Sequence, residues 1–372
     1  MTPKGGDFES SAFKDRISPV SIGELSAAFE AASGDFPAAS FVARATDGLA
    51  ALELKARVIH VADALASALP DDFTEAAGLI NRALDDPAMD GWAVYCVDDY
   101  VARYGLDHPR ISLQLMERLT SRWSCEFAIR PFIEAHPQVT FEFFDQWIGS
   151  EDEHLRRLVS EGSRPRLPWG AQLRGFIEDP APTIALLDRL VDDPAIYVRK
   201  SVANHLNDIA KDHPELAIET GQRWIKEGGE TERRAWIVNH GMRSLIKAGN
   251  PAALSLVGYD HGAAVEIREF SVSPGTISIG DAVRIEFTLE AADETPAMVD
   301  YVIHHAGAKG ARGPKVFKLK RAVLKSGEQT SFSREHRIRE VSVRRIYPGP
   351  HLIEIQVNGR VLASATVDVT AS

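Results

Sequence analysis

Residues 193–214 read DPAIYVRKSVANHLNDIAKDHP. A proline after Asp193 suits the first turn of a helix, where its missing N–H costs nothing. Val198, Val202, Leu206 and Ile209 then recur at three- and four-residue spacing, which lays one apolar stripe along the helix. The stretch ends on His213-Pro214, and the same punctuation occurs earlier. His136-Pro137 is followed by Trp147 as His213-Pro214 is followed by Trp224, and the two sets lie 77 residues apart. That offset is two units of roughly 38 residues, the period of paired helices stacked as HEAT-like repeats. The basic pairs Arg156-Arg157, Arg199-Lys200 and Arg233-Arg234 are separated by 43 and 34 residues, which together span the same 77.

Outward from this stretch, helical periodicity runs from about residue 21 to 258, with short Gly, Pro and Asp breaks. Leu49–Leu69 reads as one amphipathic helix, and Phe127–Ile133 and Val139–Ile148 as a pair broken at His136-Pro137. Residues 1–20 are polar and read as a flexible N-terminus. After a linker at 259–264 the period changes to that of strands. Seven short apolar-alternating runs separated by turns such as Ile279-Gly280-Asp281, Ser326-Gly327-Glu328 and Asn358-Gly359 fill residues 265–372. The expected fold is mostly α: a HEAT-like helical-repeat solenoid over 21–258, followed by a small all-β immunoglobulin-like sandwich over 265–372.

With 372 residues the chain is long enough for two cores, and 44% hydrophobic with 26% charged residues is ordinary for a globular protein. No apolar run approaches the ~18 residues of a membrane span. The N-terminal MTPKGGDFESSAFKDR lacks the apolar centre of a signal peptide, so a cytoplasmic location is expected. Cys96 and Cys125 are the only cysteines, which excludes a disulfide framework and a cysteine zinc cluster. There is no P-loop, dinucleotide glycine motif, HExxH, nucleophile elbow or CxxC. His304-His305 reads as a strand pair. Neither a metal nor a cofactor is expected, and the available chemistry is that of carboxylates and aromatics.

The net charge of −11 argues against a polyanionic partner. Its distribution does not: Lys309–Arg345 holds twelve Lys/Arg against three Glu. A second basic patch lies at 155–170, LRRLVSEGSRPRLPWG. Three basic pairs at repeat spacing suit a phosphate track, and they equally suit helix-start arginines that bind carbonyls or an Asp of the next repeat. Pro165 and Pro168 disfavour helix, and in an extended segment Arg164 and Arg166 point to one side, matching adjacent phosphates. Glu161 sits at a helix C-terminus, against the dipole, where it needs neighbouring arginines or a functional reason. Asp208 shares a helix face with Asn204, and a surface pair with Lys211 is its plain alternative. Glu126 follows Ser124 near a helix start, where acids are favoured anyway. Trp169 lies outside any apolar period and reads as a stacking surface for a base or sugar, with Trp123 and Trp236 as weaker candidates.

The strings EFAIRPFIEAHP (126–137), LRRLVSEGSRPRLPW (155–169) and YVRKSVANHLNDIAKDHP (197–214) resemble the HEAT-like-repeat DNA glycosylases, specifically their AlkC branch. The resemblance covers about residues 20–258, and one AlkC subgroup carries a trailing immunoglobulin-like domain like the one read at 265–372. It implies excision of cationic N3-alkylated bases, notably 3-methyladenine and 3-methylcytosine, from double-stranded DNA, by a monofunctional enzyme that draws no base into a deep pocket. It implies active-site roles for Glu126, Glu161, Trp169 and Asp208. The arginines and lysine at 156, 157, 164, 166, 199, 200, 233 and 234 become candidate DNA contacts, and the basic sandwich stretch a further one. A monomer is expected. The competing expectation is a non-enzymatic HEAT scaffold that binds DNA or protein without regard to base alkylation.

Overall fold

The computed structural model describes residues 12–228, 232–307, 310–311, 313–340 and 345–371. Sixteen α-helices lie among them. They are α1 Pro19–Ala32, α2 Ala38–Thr46, α3 Leu54–Ala66, α4 Phe73–Ala83, α5 Val94–Tyr104, α6 Pro109–Arg122, α7 Ile129–Ala135 and α8 Pro137–Trp147. There follow α9 Glu153–Gly162, α10 Arg174–Glu178, α11 Ala181–Leu190, α12 Ile196–Asp212, α13 Pro214–Gly228, α14 Glu232–Gly241, α15 Arg243–Lys247 and α16 Pro251–Leu256. The chain divides into two compact units, Met1–Ile209 and Ala210–Ser372.

In the first unit, α1 packs on α2 and α4, α3 on α2 and α5, α6 on α4, α5, α8 and α9, and α9 on α11. Apart from α10, which buries no residue, each helix buries apolar side chains. Val198, Val202, Leu206 and Ile209 of α12 are all within 1% of full burial, as the periodicity predicts. Prolines start α6, α8 and α13, and Trp147 closes α8 in the core. The single helix expected over Leu49–Leu69 is instead a 3₁₀ turn at Leu49–Ala51 followed by α3, because Leu52 and Glu53 are extended. Residues 12–20 also differ from the expected loose tail. The buried guanidinium of Arg57 donates to the carbonyls of Lys14 (2.8 Å) and Ile17 (3.0 Å), and Ile17 is fully buried. Residues 1–11 of that expected tail lie outside the described residues.

In the second unit, α13 packs on α14 and α16, and α15 on α16. The strands that follow are β1 Val265–Ser273, β2 Thr276–Ser278, β3 Ala282–Ala291, β4 Thr295–His304, β5 Ala306–Gly307, β6 Gly310–Ala311, β7 Lys315–Leu324, β8 Gln329–Arg337, β9 Gly349–Val357 and β10 Arg360–Thr370. They form a sheet of order β1-β3-β8, a second of order β2-β10-β9-β4-β7 and a small β5-β6 ribbon. The two larger sheets enclose one core that includes Ile285, Phe287, Tyr301, Ile353, Ile355 and Val367. The short β2, parallel to β10, joins the seven strands read from the sequence. Of the basic residues at 309–345, Lys309, Arg312 and Arg344 lie outside the described residues. His304 pairs with Glu354 at 2.8 Å and His305 with His351 at 3.2 Å, so both are sandwich contacts.

Candidate active site

Three carboxylates and two arginines from separate parts of the first unit form one connected chain. Glu126, just before α7, accepts from Arg157 of α9 at 2.5 Å. Arg157 also lies 3.5 Å from Glu161, one helical turn on. Glu161 accepts from Arg164 at 2.7 Å, and Arg164 donates through Nε to Asp208 of α12 at 2.8 Å. Ser124 donates to Glu126 at 3.1 Å and Ser201 to Glu161 at 2.6 Å. The ring of Tyr197 lies beneath the Arg157 guanidinium, 5.2 Å from its centroid. The four acids and aromatics singled out by sequence thus fall into two groups. Glu126, Glu161 and Asp208 are joined through arginines, while Trp169 stands on the loop that leaves Arg164.

Burial grades the carboxylates. Side-chain exposure is 16% for Glu126, 9% for Glu161 and 1% for Asp208. Burial alone would raise the Glu161 pKa, but Arg157 and Arg164, with the Ser201 hydroxyl, hold it below the ordinary 4.5. Glu161 is therefore ionised at neutral pH. The cost of its position at a helix C-terminus is offset by these two arginines, and not by Arg156. Asp208 is no surface acid of α12: it lies in the core against Arg164. Glu126 is the most accessible of the three and so the one able to meet a water.

Arg130, which the sequence reading passed over, fixes this arrangement. It is 2% exposed and donates to the carbonyls of Gly162 (2.8 Å), Arg164 (2.9 Å) and Ala171 (2.7 Å). Burial lowers its pKa to about 10, still charged at neutral pH. These bonds fold the loop after α9 back on itself, with Leu173 N–H donating to Pro165 O at 3.1 Å. Gly162 lets α9 approach α7: a Cβ there would stand 2.5 Å from Ile129 Cγ2. Arg130→Met leaves the buried carbonyls of Gly162 and Arg164 unpaired and is expected to cost about 3 kcal/mol. A drop in the thermal midpoint, with a red-shifted Trp169 emission in a variant lacking the other tryptophans of that face, checks it.

The loop is not extended, so spacing alone does not put Arg164 and Arg166 on one side. Arg164 is 5% exposed and turned to Glu161 and Asp208, whereas Arg166 is half-buried. Trp169 emerges from the loop 63% exposed and in a left-handed backbone conformation, φ 66°. That conformation is strained for a bulky residue, a form of strain that gathers at functional positions. Lys55 donates to its carbonyl, and the Phe13 ring meets the indole edge-on at 6.5 Å. Phe13 in turn stacks on Trp92, Trp92 meets Trp123 at a tilt of 54°, and Trp123 stacks on Tyr95, an aromatic row absent from the sequence reading except for Trp123. Trp236, in the second unit, stacks on His240 at 5.3 Å.

The basic residues divide as sharply. Arg156 spends its donors on both oxygens of Asp193 (2.6 and 3.1 Å) and on the carbonyls of Ser150 and Glu151. Arg199 donates to the Asp193 and Pro194 carbonyls, and Arg234 to the Trp224 carbonyl. Arg156, Arg164 and Arg199 thus make contacts within the protein. Arg156 and Arg199 satisfy carbonyls between helices, and Arg156 also Asp193, whereas Arg164 pairs with Glu161 and Asp208. Lys200 and Arg233 are exposed. Among the described residues, no group of three or more His, Cys, Asp or Glu is placed to hold a metal, and no helix is long and apolar enough to cross a membrane.

The structure is similar to Pseudomonas fluorescens alkylpurine DNA glycosylase AlkC bound to DNA containing an abasic site analog. The TM-score is 0.89, with 36% identity over 97% of this chain and 100% of that one. This chain belongs to the AlkC family. A second relative, the uncharacterized protein YhaZ of Bacillus subtilis (strain 168), is 34% identical over 318 residues, which is 86% of this chain and 88% of YhaZ. Residues 266–371 match the family model described as the C-terminal Ig-like domain of YhaZ. AlkC membership thus extends over both the helical repeats and the sandwich.

Proposed function

We propose that this chain is a DNA glycosylase for alkylated bases, a monofunctional hydrolase that releases cationic N3-alkylated bases such as 3-methyladenine and 3-methylcytosine from double-stranded DNA. The observation that carries the reading is the linked set Glu126–Arg157–Glu161–Arg164–Asp208, in a chain that aligns end to end with a DNA-bound AlkC. A base alkylated at N3 already bears positive charge and leaves without a strong general acid. What the enzyme supplies is stabilisation of the oxocarbenium character on the deoxyribose and an oriented water. Fixed carboxylates do the first by countering developing positive charge in a poorly solvated site. Glu126, the most accessible, accepts the proton of the attacking water. Arg157 and Arg164 keep the acids in place, and Trp169 packs on the sugar or lesion. The base is not drawn into a deep pocket, and the enzyme acts as a monomer in the cytoplasm, at the nucleoid.

The test is base release from methylated duplex DNA in the presence of a chelator. Free 3-methyladenine and intact strands bearing abasic sites are expected. Binding that is indifferent to methylation, with no abasic product, establishes a scaffold instead. Activity lost with chelator contradicts the metal-free chemistry.

A further inference from the structure

In the second unit a cavity of about 380 Å³ lies between α15 and the β4–β7 pair of the sandwich. Its size falls within the range of small-ligand sites. Arg243, Lys247, Lys318 and Arg321 surround it, Met298 lines one wall and Asp300 its floor. Lys247, Lys318 and Arg321 are exposed at the rim. Asp300 is different: it is 7% exposed, and its Oδ1 is buried without a hydrogen-bond partner. A register shift in the β4–β7 pairing falls between Val299 and Asp300, a local irregularity of the kind that re-aims a side chain. Burial pushes the Asp300 carboxyl up to about 6, against the nearby Lys318, the Leu319 N–H, Arg321 and Lys247.

A buried acceptor left open costs roughly 1–3 kcal/mol and calls for an explanation. The four cations call for an anion. Inorganic phosphate answers the cations, but drawn close enough for its own P–OH to reach Oδ1 it sets its anionic oxygens against that carboxylate. Duplex DNA also fails, because its backbone carries no hydroxyl to donate. We infer that this cavity binds a small phosphomonoester that also bears a hydroxyl, a sugar phosphate or nucleotide, with the phosphate at Lys247, Lys318 and Arg321 and the hydroxyl donating to Asp300. Part of the basic charge that the sequence assigns to DNA is then turned towards a small molecule. The site is separate from the carboxylate chain and does not depend on the glycosylase reading.

Calorimetric titration of the full chain with ribose 5-phosphate, inorganic phosphate and ribose tests it. Ribose 5-phosphate is expected to bind about tenfold more tightly than inorganic phosphate, the value of one charge-assisted hydrogen bond. Asp300→Asn, which preserves shape, is expected to reduce that preference to about twofold while leaving inorganic phosphate unchanged. Lys247→Ala with Lys318→Ala weakens both phosphates at least ~10-fold and leaves duplex DNA affinity within about twofold. No heat with ribose 5-phosphate up to ~10 mM overturns the proposal. So does a preference that survives Asp300→Asn, or a double variant that loses DNA affinity instead, which makes these groups backbone contacts.

Discussion

Glu126→Gln is expected to slow 3-methyladenine release by about 10²–10³-fold, while duplex affinity and thermal midpoint stay close to those of the parent protein. The expectation follows from where Glu126 sits. Its side chain is 16% exposed and held on one side by Arg157 and Ser124, so the other side is open to substrate and water. An amide keeps the shape and a hydrogen-bond acceptor for Arg157 but loses the charge. Opposition to the oxocarbenium and capacity to take a proton both depend on that charge. Glu161→Gln and Asp208→Asn are expected to behave differently. Each leaves a buried arginine short of a counter-charge, so rate falls together with stability, by about 3–5 kcal/mol. Single-turnover release and a melting curve on all three variants separate the roles. Parent-like release by Glu126→Gln, with the other two inactive, sinks the assignment of Glu126 to water activation and moves it to a buried acid.

The sequence made these acids visible as candidates but hid their connections. The break at His136-Pro137 was legible because proline has a local cause: α7 ends at Ala135 and α8 begins at Pro137. The strands were legible through alternation and glycine turns. Trp169 was legible because it stood outside every apolar period, and it is indeed exposed. The partners of the arginines were not legible, for a physical reason. Spacing gives the direction of a side chain only if the backbone conformation is known, and the loop after α9 takes its shape from Arg130, more than thirty residues upstream. The same holds for Asp208. A partner four residues off along a helix, or three, is visible in sequence, so Lys211 was weighed. Arg164 lies 44 residues away and becomes a neighbour only when α9 and α12 pack. Arg57 holds residues 12–17 by the same non-local means.

Replacing Arg164 tests the structure against the phosphate reading most directly. Arg164→Met is expected to destabilise the protein by about 3–5 kcal/mol, because it strands Glu161 and Asp208 as buried acids without their shared cation. For a unit of this size that is roughly a 10 °C fall in thermal midpoint. Arg164→Lys recovers part of it, since one ammonium does not span both carboxylates as a guanidinium does. The pH dependence gives the sign. In the parent protein the Glu161 pKa is lowered, so its contribution is present above 4.5 and is lost as pH falls further. Without Arg164 burial is less opposed and the pKa rises, so the variant's deficit is greatest at neutral pH and narrows as pH falls. Asp208→Asn in the Arg164→Met background costs less than the sum of the two single changes, since both remove one interaction. A phosphate contact predicts the reverse of all this: an unchanged midpoint, weaker binding to every duplex and a salt dependence lower by about one ion. Melting curves at two pH values and a salt titration of DNA binding decide between them.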